Sequence, residues 1–273
     1  MPNSTKKTKS GFSIFELSIV ILIVGLLVVG ATKGGEMVRK SKVIAAASTT
    51  KSSIVGKIDG LVLWLETTMP DSFNNYEAAD GIQVSTWYDI SNSKTTAVNA
   101  VQATTSRQPT YTSNGINGLP ALKFVRANSS NMSVAYGFDN NADTFTLFLV
   151  WQPTLDPSLE MNLLEKWTGS SGYPYKLISK SKYTLAAYDG SLNPGVISST
   201  SRQYGITHLV TGRKIKKDSI QMWVNGVSEG GTVTDTTNNS SNTSPLFIGS
   251  RNNDANFMDG YIGEIIIFDR ALS

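Results

Sequence analysis

The sequence predicts a mainly β protein, an antiparallel two-sheet sandwich preceded by one long N-terminal α-helix. Three observations carry that expectation. Residues 12 to 31 form a predominantly apolar, membrane-length run whose one charge is Glu16. After Lys57 the apolar residues change from helical spacing to alternation, the period of a strand with one buried face. Turn dipeptides then recur at Asp80-Gly81, Asn114-Gly115, Asn117-Gly118, Asp189-Gly190, Asn225-Gly226 and Asp259-Gly260, dividing the rest of the chain into short strands.

The N-terminal run contains 20 residues. At about 1.5 Å per residue these give roughly 30 Å of helix, the thickness of a bilayer's hydrocarbon core. Lys6, Lys7 and Lys9 precede the run and no lysine lies within it, which orients the N-terminus to the cytoplasm and the remainder outside. An ordinary secretory signal places its small cleavage residues after the apolar core. Here the small residue, Gly11, comes first. Gly11, then Phe12, then Glu16 five positions past the glycine resembles the class III leader of type IV pilins and pseudopilins. The resemblance implies that a prepilin peptidase cuts between Gly11 and Phe12, methylates the new Phe12 amine and leaves the helix attached. It also gives Glu16 a purpose. A charged side chain at a membrane helix centre costs about 2.5 to 3.5 kcal/mol on insertion scales, and the family's implied partner is the Phe12 amine of a neighbouring subunit. The plainer alternative is a signal anchor that tolerates one polar residue. Past the run, Met37, Ser41, Ile44, Ser48, Ser52 and Val55 repeat at spacings of three and four, so the helix is expected to continue, with Gly34 and Gly35 as a soft point.

The candidate strands are GLVLWLE, IQVSTWYD, PALKFV, TFTLFLVWQ, YKLIS, YTLAAY, ITHLVTGR, SIQMWVNG, PLFIGS and GYIGEIIIFD. Two packed antiparallel sheets accommodate them. In SIQMWVNGVSEGGTV, Asn225-Gly226 suits the positive φ angles of a type I′ hairpin. TDTTNNSSNTS, residues 234 to 244, is polar low-complexity sequence and reads as an exposed loop. The order of GLVLWLE, VSTWYDIS, GINGLPALKF, ITHLVTGR with IQMWVNG, and PLFIGS with GYIGEIIIFDRALS resembles the laminin-G-like, concanavalin A-like jelly roll over about residues 60 to 273. Members of that family commonly run on past this last strand, so a short or frayed final edge is expected. The expected organisation is a cytoplasmic leader over 1–11, a transmembrane and assembly helix over 12–56 and a sandwich head over 57–273.

The composition excludes several chemistries. Lys6, Lys7 and Lys9 account for the net charge of +3, so no basic face for nucleic acid is implied. There is no cysteine for a disulfide, thiolate site or nucleophile. His208 is the only histidine, which excludes a His-pair metal site, and it shares a strand face with Val210 as a structural residue would. A retaining glycosidase needs two carboxylates about 5 to 5.5 Å apart. In GEIIIFD, Glu264 and Asp269 point to opposite faces, and no other strand carries a carboxylate pair at spacing two. The chain is therefore not expected to be an enzyme, and no cofactor or metal is assigned. Calcium, frequent in laminin-G-like domains, would draw on Asp89, Asn92, Asn252, Asn253 and Asp254, turn oxygens without EF-hand spacing.

Flat aromatic rings that stack on sugars remain. Trp64, Trp87 and Trp151 alternate with apolar neighbours and read as core, whereas Trp223 falls on the polar side of SIQMWVNG. EKWTGSSGYPYK gathers Trp167, Tyr173 and Tyr175 about a Gly/Ser-rich loop, where they either pack beneath it or bind ligand. The candidate ligand residues are Trp167, Tyr173, Tyr175 and Trp223. The expected function is a pilin-like structural subunit, minor rather than major given its bulky head. It is stored in a bacterial inner membrane and displayed on a surface filament for adhesion to a glycan or protein. Its partners would be prepilin peptidase, other pilin helices and the membrane. The alternatives are a pseudopilin of a secretion or DNA-uptake machine, a membrane-tethered lectin and a surface glycosidase.

Overall fold

The computed structural model describes residues 14–91, 98–135, 143–154, 158–167, 172–238, 240 and 242–273, with side chains at Ile21 and from Gly34 onward. Gly11, Phe12 and Asn92 lie outside the described residues, as does the side chain of Glu16. The chain divides into two compact units, Met1–Lys42 and Val43–Ser273.

Helix α1 covers Ile14–Ser52. It passes through Gly34 and Gly35 without a break, so the expected soft point does not interrupt it. One turn apart, Glu36 and Lys40 form an exposed ion pair at 3.0 Å, a spacing that supports helix by a few tenths of a kcal/mol. Among the described residues no helix is long and apolar enough to cross a membrane. A 3-10 turn at Val55–Lys57 follows the helix.

The second unit is an antiparallel two-sheet sandwich. Its strands are β1 (Leu61–Glu66), β2 (Thr86–Trp87), β3 (Ala100–Val101), β4 (Thr110–Ile116), β5 (Leu119–Phe124), β6 (Met132–Val134), β7 (Phe145–Pro153) and β8 (Met161–Glu165). There follow β9 (Tyr173–Ser179), β10 (Lys182–Tyr188), β11 (Gly195–Ser201), β12 (His208–Ile215), β13 (Ser219–Val224), β14 (Val227–Thr234), β15 (Leu246–Ile248) and β16 (Gly260–Phe268). The first sheet has the order β14-β13-β12-β7-β16-β5-β4, with β1 also paired to β16. The second runs β11-β10-β9-β8-β15-β6-β3-β2. Alternation turns Leu63, Leu149, Trp151 and Val210 from one sheet, and Tyr175, Leu177, Tyr183 and Leu185 from the other, into a common core.

Several sequence expectations change. IQVSTWYD yields only the two-residue β2 and a bridge from Gln83 to Thr110. Asn114-Gly115 is no turn but lies inside β4, where a register shift between Thr112 and Ile116 absorbs it. The turn to β5 is instead Asn117-Gly118, at φ 53° and 82°. The Asn225-Gly226 hairpin does form, at φ 52° and 79°, with Val224 opposite Val227. Trp87 and Trp151 are wholly buried between the sheets. Trp64 belongs elsewhere, to a small cluster on the outer face of the first sheet with Ile266 and Phe268, because it alternates with the inward Leu63 and Leu65. The last strand is no frayed edge. β16 is paired to β7 along most of its length, and the Thr146 hydroxyl accepts from Leu272 N at 2.9 Å.

Candidate functional site

The sequence's aromatic candidates lie mainly where β8, β9 and β10 run side by side. Tyr188 is registered opposite Tyr173, and Lys176 opposite both Ala186 and Glu165. Between these pairs β10 advances two residues while β9 advances three, a bulge that breaks the alternation of β9. Tyr175 keeps the inward side with Leu177 and is fully buried, its ring 4.7 Å from Phe145. Tyr173 is instead aligned with Tyr188, their centroids 5.6 Å apart. Trp167 continues the row, 5.8 Å from Tyr173.

Close backbone packing holds this row in place. At Gly172 (φ +117°) an added Cβ would sit 2.5 Å from the Tyr188 carbonyl, so only glycine lets β9 enter here. Asn242 donates to the Lys166 and Gly172 carbonyls at 2.7 and 3.1 Å, and the Ser244 hydroxyl donates to the Trp167 carbonyl at 2.7 Å. Tyr173 is 3% exposed and its hydroxyl donates to Asn193 at 3.0 Å. It supports the row, while Trp167 and Tyr188 are half-buried and reach the surface. Arg251 lies over the Trp167 ring at 5.7 Å and Lys176 over the Tyr173 ring at 5.3 Å.

Beneath the row is Glu165, wholly buried, accepting a hydrogen bond from Asn162. Among the described residues its Oε1 and the Asn162 Oδ1 have no hydrogen-bond partner. Burial pushes the Glu165 carboxyl up to about 7, and Lys176, Asn162 and Arg251 only partly offset that. Burial, with Glu165 second, likewise pushes the Tyr173 hydroxyl up to about 12. The arrangement is a shelf of two accessible rings with two cations beside them and a carboxyl that titrates near neutrality.

The other candidates are separate. Trp223 is half-buried on the outer face of the first sheet, in register with Thr211 and under Arg213 at 5.3 Å. Arg213 is held by the Leu272 carbonyl at 2.6 Å and by Gln221. The sequence missed one carboxylate pair, because it forms across strands. Glu66 and Glu264 stand directly opposite in β1 and β16. Glu66 is committed to the backbone N–H groups of Thr68 and Met69, both at 2.8 Å, and to the Thr68 hydroxyl. Glu264 accepts from the Trp64 indole at 2.8 Å; burial foremost, and the Glu66 charge, raise its pKa. Of the calcium donors, Asp89 accepts from Trp64 N and Ser91 N, both at 2.9 Å, and Asn253 accepts from Asn131 at 2.6 Å. Among the described residues no three His, Asp or Glu side chains gather as a metal site.

Comparison with solved structures finds this sandwich in larger chains. The binding domain of Paraclostridial Mosquitocidal Protein 1 superposes with a TM-score of 0.57 at 16% identity, covering 79% of this chain and 50% of that one. Trypanosoma rangeli sialidase, in complex with the inhibitor DANA, gives 0.53 at 16% identity over 90% of this chain and 37% of its own. Botulinum neurotoxin type C, whose cell entry depends on interaction with two ganglioside molecules, gives 0.50 at 12% identity over 80% and 49%. The chain thus spans half or less of these proteins, and at such identities the likeness is one of fold. No curated protein matches it in sequence. A family profile matches residues 126–273, the stretch from the turn after β5 through β16 that holds the shelf and most of both sheets. That stretch is more than half of the chain, and by it the chain belongs to the concanavalin A-like lectin/glucanases superfamily.

Proposed function

We propose that this chain is a pilin-like structural subunit of a bacterial surface filament whose sandwich binds glycans and catalyses nothing. The shelf of Trp167 and Tyr188, braced by the buried Tyr173 and flanked by Lys176 and Arg251, is the observation that carries the glycan reading. Flat rings accept the C–H face of a sugar, and the cations favour one that bears a carboxylate. The superfamily includes lectins, and the dependence of botulinum neurotoxin type C on gangliosides lends support from a protein of similar fold. Against catalysis stands Glu66, whose carboxylate is committed to Thr68 and Met69 and leaves Glu264 without a free partner.

The filament reading rests on Gly11, Phe12, Glu16 and the apolar run. On it, prepilin peptidase cleaves after Gly11, Phe12 is methylated, and Glu16 pairs with a neighbour's Phe12 amine during assembly. The subunit waits in the inner membrane with its head outside and then joins the fibre, as a minor component. Mass spectrometry of sheared fibres should find a chain beginning at methylated Phe12, and a large residue in place of Gly11 should leave the precursor uncut. Glu16→Gln should enter the membrane normally and be depleted from fibres, since an amide cannot neutralise the amine. A chain still beginning at Met1 would remove the pilin reading in favour of a membrane-tethered lectin. The full-length protein should retain acidic glycans from an array; retention of none would remove the glycan reading.

A further inference from the structure

The two sheets meet along one side through their edge strands β14 and β11. At Gly230 (φ +69°) an added Cβ would lie 2.0 Å from the Ile197 carbonyl. Beside it the Glu229 carboxylate accepts from Ser199 N at 2.7 Å, Thr200 N at 3.0 Å and the Thr200 hydroxyl. By this seam opens a cleft of about 260 Å³ with polar lining from Thr200, Gln203, His208, Asn225 and Glu229. Its apolar wall is Ile206, Val224 and Val227.

His208 lies in this cleft 97% buried, and among the described residues neither ring nitrogen has a hydrogen-bond partner. The ring is steadied by Tyr183, edge to face at 5.6 Å. Burial foremost, and the charge of Arg202, hold its pKa below the usual imidazole range; the Gln203 carbonyl favours the cation but lies outside hydrogen-bond geometry. At pH 7 the ring is neutral, with one N–H to give and one bare nitrogen to fill. A buried polar group left unmet is destabilising. The group that belongs there therefore both donates and accepts, as a hydroxyl does. Glu229 adds an ionised acceptor, its pKa lowered mainly by the Thr200 hydroxyl. Both backbone donors fall on Oε2; among the described residues Oε1, unlike either oxygen of Glu66, takes that hydroxyl alone and keeps a lone pair for a ligand. Asn225 commits its Oδ1 to Leu209 N at 2.9 Å and turns its NH₂ to other use. A ring with hydroxyls on its edge and C–H groups on its face matches both the polar lining and the apolar wall.

We propose that this cleft is a second sugar site, which takes one uncharged pyranose residue by its hydroxyls, through His208 and Glu229. The site shares only its class of ligand with the proposed function and stands on separate residues from the aromatic shelf. Because His208 is the only histidine, its ring resonances in the full-length chain report on this cleft alone. The protein, carrying carbon-13 histidine and held in a detergent without a sugar headgroup, is titrated with the methyl glycosides of glucose, galactose, mannose and N-acetylglucosamine. At least one should shift the His208 signals saturably in the millimolar range. The shift should weaken roughly tenfold in Glu229→Gln, which loses a charged acceptor, and vanish in Val227→Trp, whose ring fills the mouth. Val227 is 63% exposed, so this variant keeps the core intact. Trp167→Ala should leave the shift unchanged. Absence of a saturable shift with all four glycosides overturns the proposal, as does a shift undiminished in Val227→Trp. A shift lost in Trp167→Ala and kept in Val227→Trp also overturns it, assigning the sugar to the shelf.

Discussion

Lys214 and Glu165 are both wholly buried in the same sandwich, yet one is surrounded by partners and the other is not. The Lys214 ammonium lies 3.5 Å from both Asp143 and Asp235 and donates to the Ser240 hydroxyl at 2.9 Å. Asp143 also takes Lys216 at 2.7 Å, and Asp235 accepts from Thr237 and from Lys217 N. Among the described residues Glu165 has one donor, Asn162, and an orphaned oxygen. A fully partnered buried charge is costly to disturb and serves the fold. An under-partnered one beside half-buried rings calls for an explanation, and the glycan reading proposed above offers one.

The two should also titrate in opposite senses. Burial pushes the Asp143 carboxyl up, but Lys216, Ser240 and Lys214 outweigh it and hold the pKa below the ordinary value. Its contribution to stability is present above the unfolded pKa and is lost as the pH falls through the folded one. Glu165 is raised, from 4.5 to about 7. Its contribution is complete below 4.5 and is lost as the pH rises through 7.

The largest effect should come from breaking the partnered set. Lys214→Met removes the buried cation that two aspartates share, leaving Asp143 with Lys216 and Asp235 with its hydrogen-bond donors, and should cost about 3–5 kcal/mol, read as a drop in the urea midpoint of residues 57–273. This fragment should be soluble with β-type circular dichroism, since its core lies between Val62 and Ile267. A loss under about 1 kcal/mol, the scale of an exposed pair, would mean that the network is wet and the contrast false. Next, Glu165→Gln removes an ionisation that costs on the order of 3 kcal/mol above pH 7. The variant should be the more stable protein at pH 8 and indistinguishable at pH 4. Equal midpoints at both would show that Glu165 has a partner in solution. Acidic glycans should also bind the parent better below pH 7, where the carboxyl under the shelf is neutral.

How much of this was legible in the sequence depended on whether contacts follow a strand or cross between strands. Alternation in TFTLFLVWQ and SIQMWVNG gave β7 and β13, and Asn225-Gly226 gave its hairpin, because both signals are local. MNLLE was missed as β8 because all five of its residues are buried, so it has no alternation to read. Tyr173 and Tyr175 look equivalent two residues apart. Only the bulge opposite Ala187 sends one to the shelf and the other to the core. Glu66 and Glu264 are 198 positions apart and become neighbours through the pairing of β1 with β16, which no spacing rule within a strand can reveal.

Trp167→Ala should weaken glycan binding about tenfold, the loss of one stacked ring at roughly 1 kcal/mol or a little more, and, the ring being half-buried like that of Trp223, should lower the urea midpoint only slightly. Surface plasmon resonance with the glycans retained on the array reads the change. An equal affinity in the variant would remove the shelf as the binding surface.

The smallest effect is expected at Trp223, and it is the control that gives the others meaning. Trp167 and Trp223 look alike in isolation, each half-buried with an arginine over its ring, at 5.7 and 5.3 Å. Their surroundings differ. Arg213 is fixed by the Leu272 carbonyl and Gln221, so its contact with Trp223 helps to anchor the C-terminal segment across the first sheet. Arg251 has the Asp254 carboxylate at 4.0 Å, a distance at which it is held weakly, and its charge also acts on Glu165 beneath the shelf. Trp223→Ala should thus cost about 0.5–1 kcal/mol of stability, the scale of one exposed cation–π contact, and leave glycan affinity where it was. If it weakened binding as much as Trp167→Ala, the outer face of the first sheet would share the ligand. A stacked arginine alone would then be a better guide to the site than an under-partnered carboxyl.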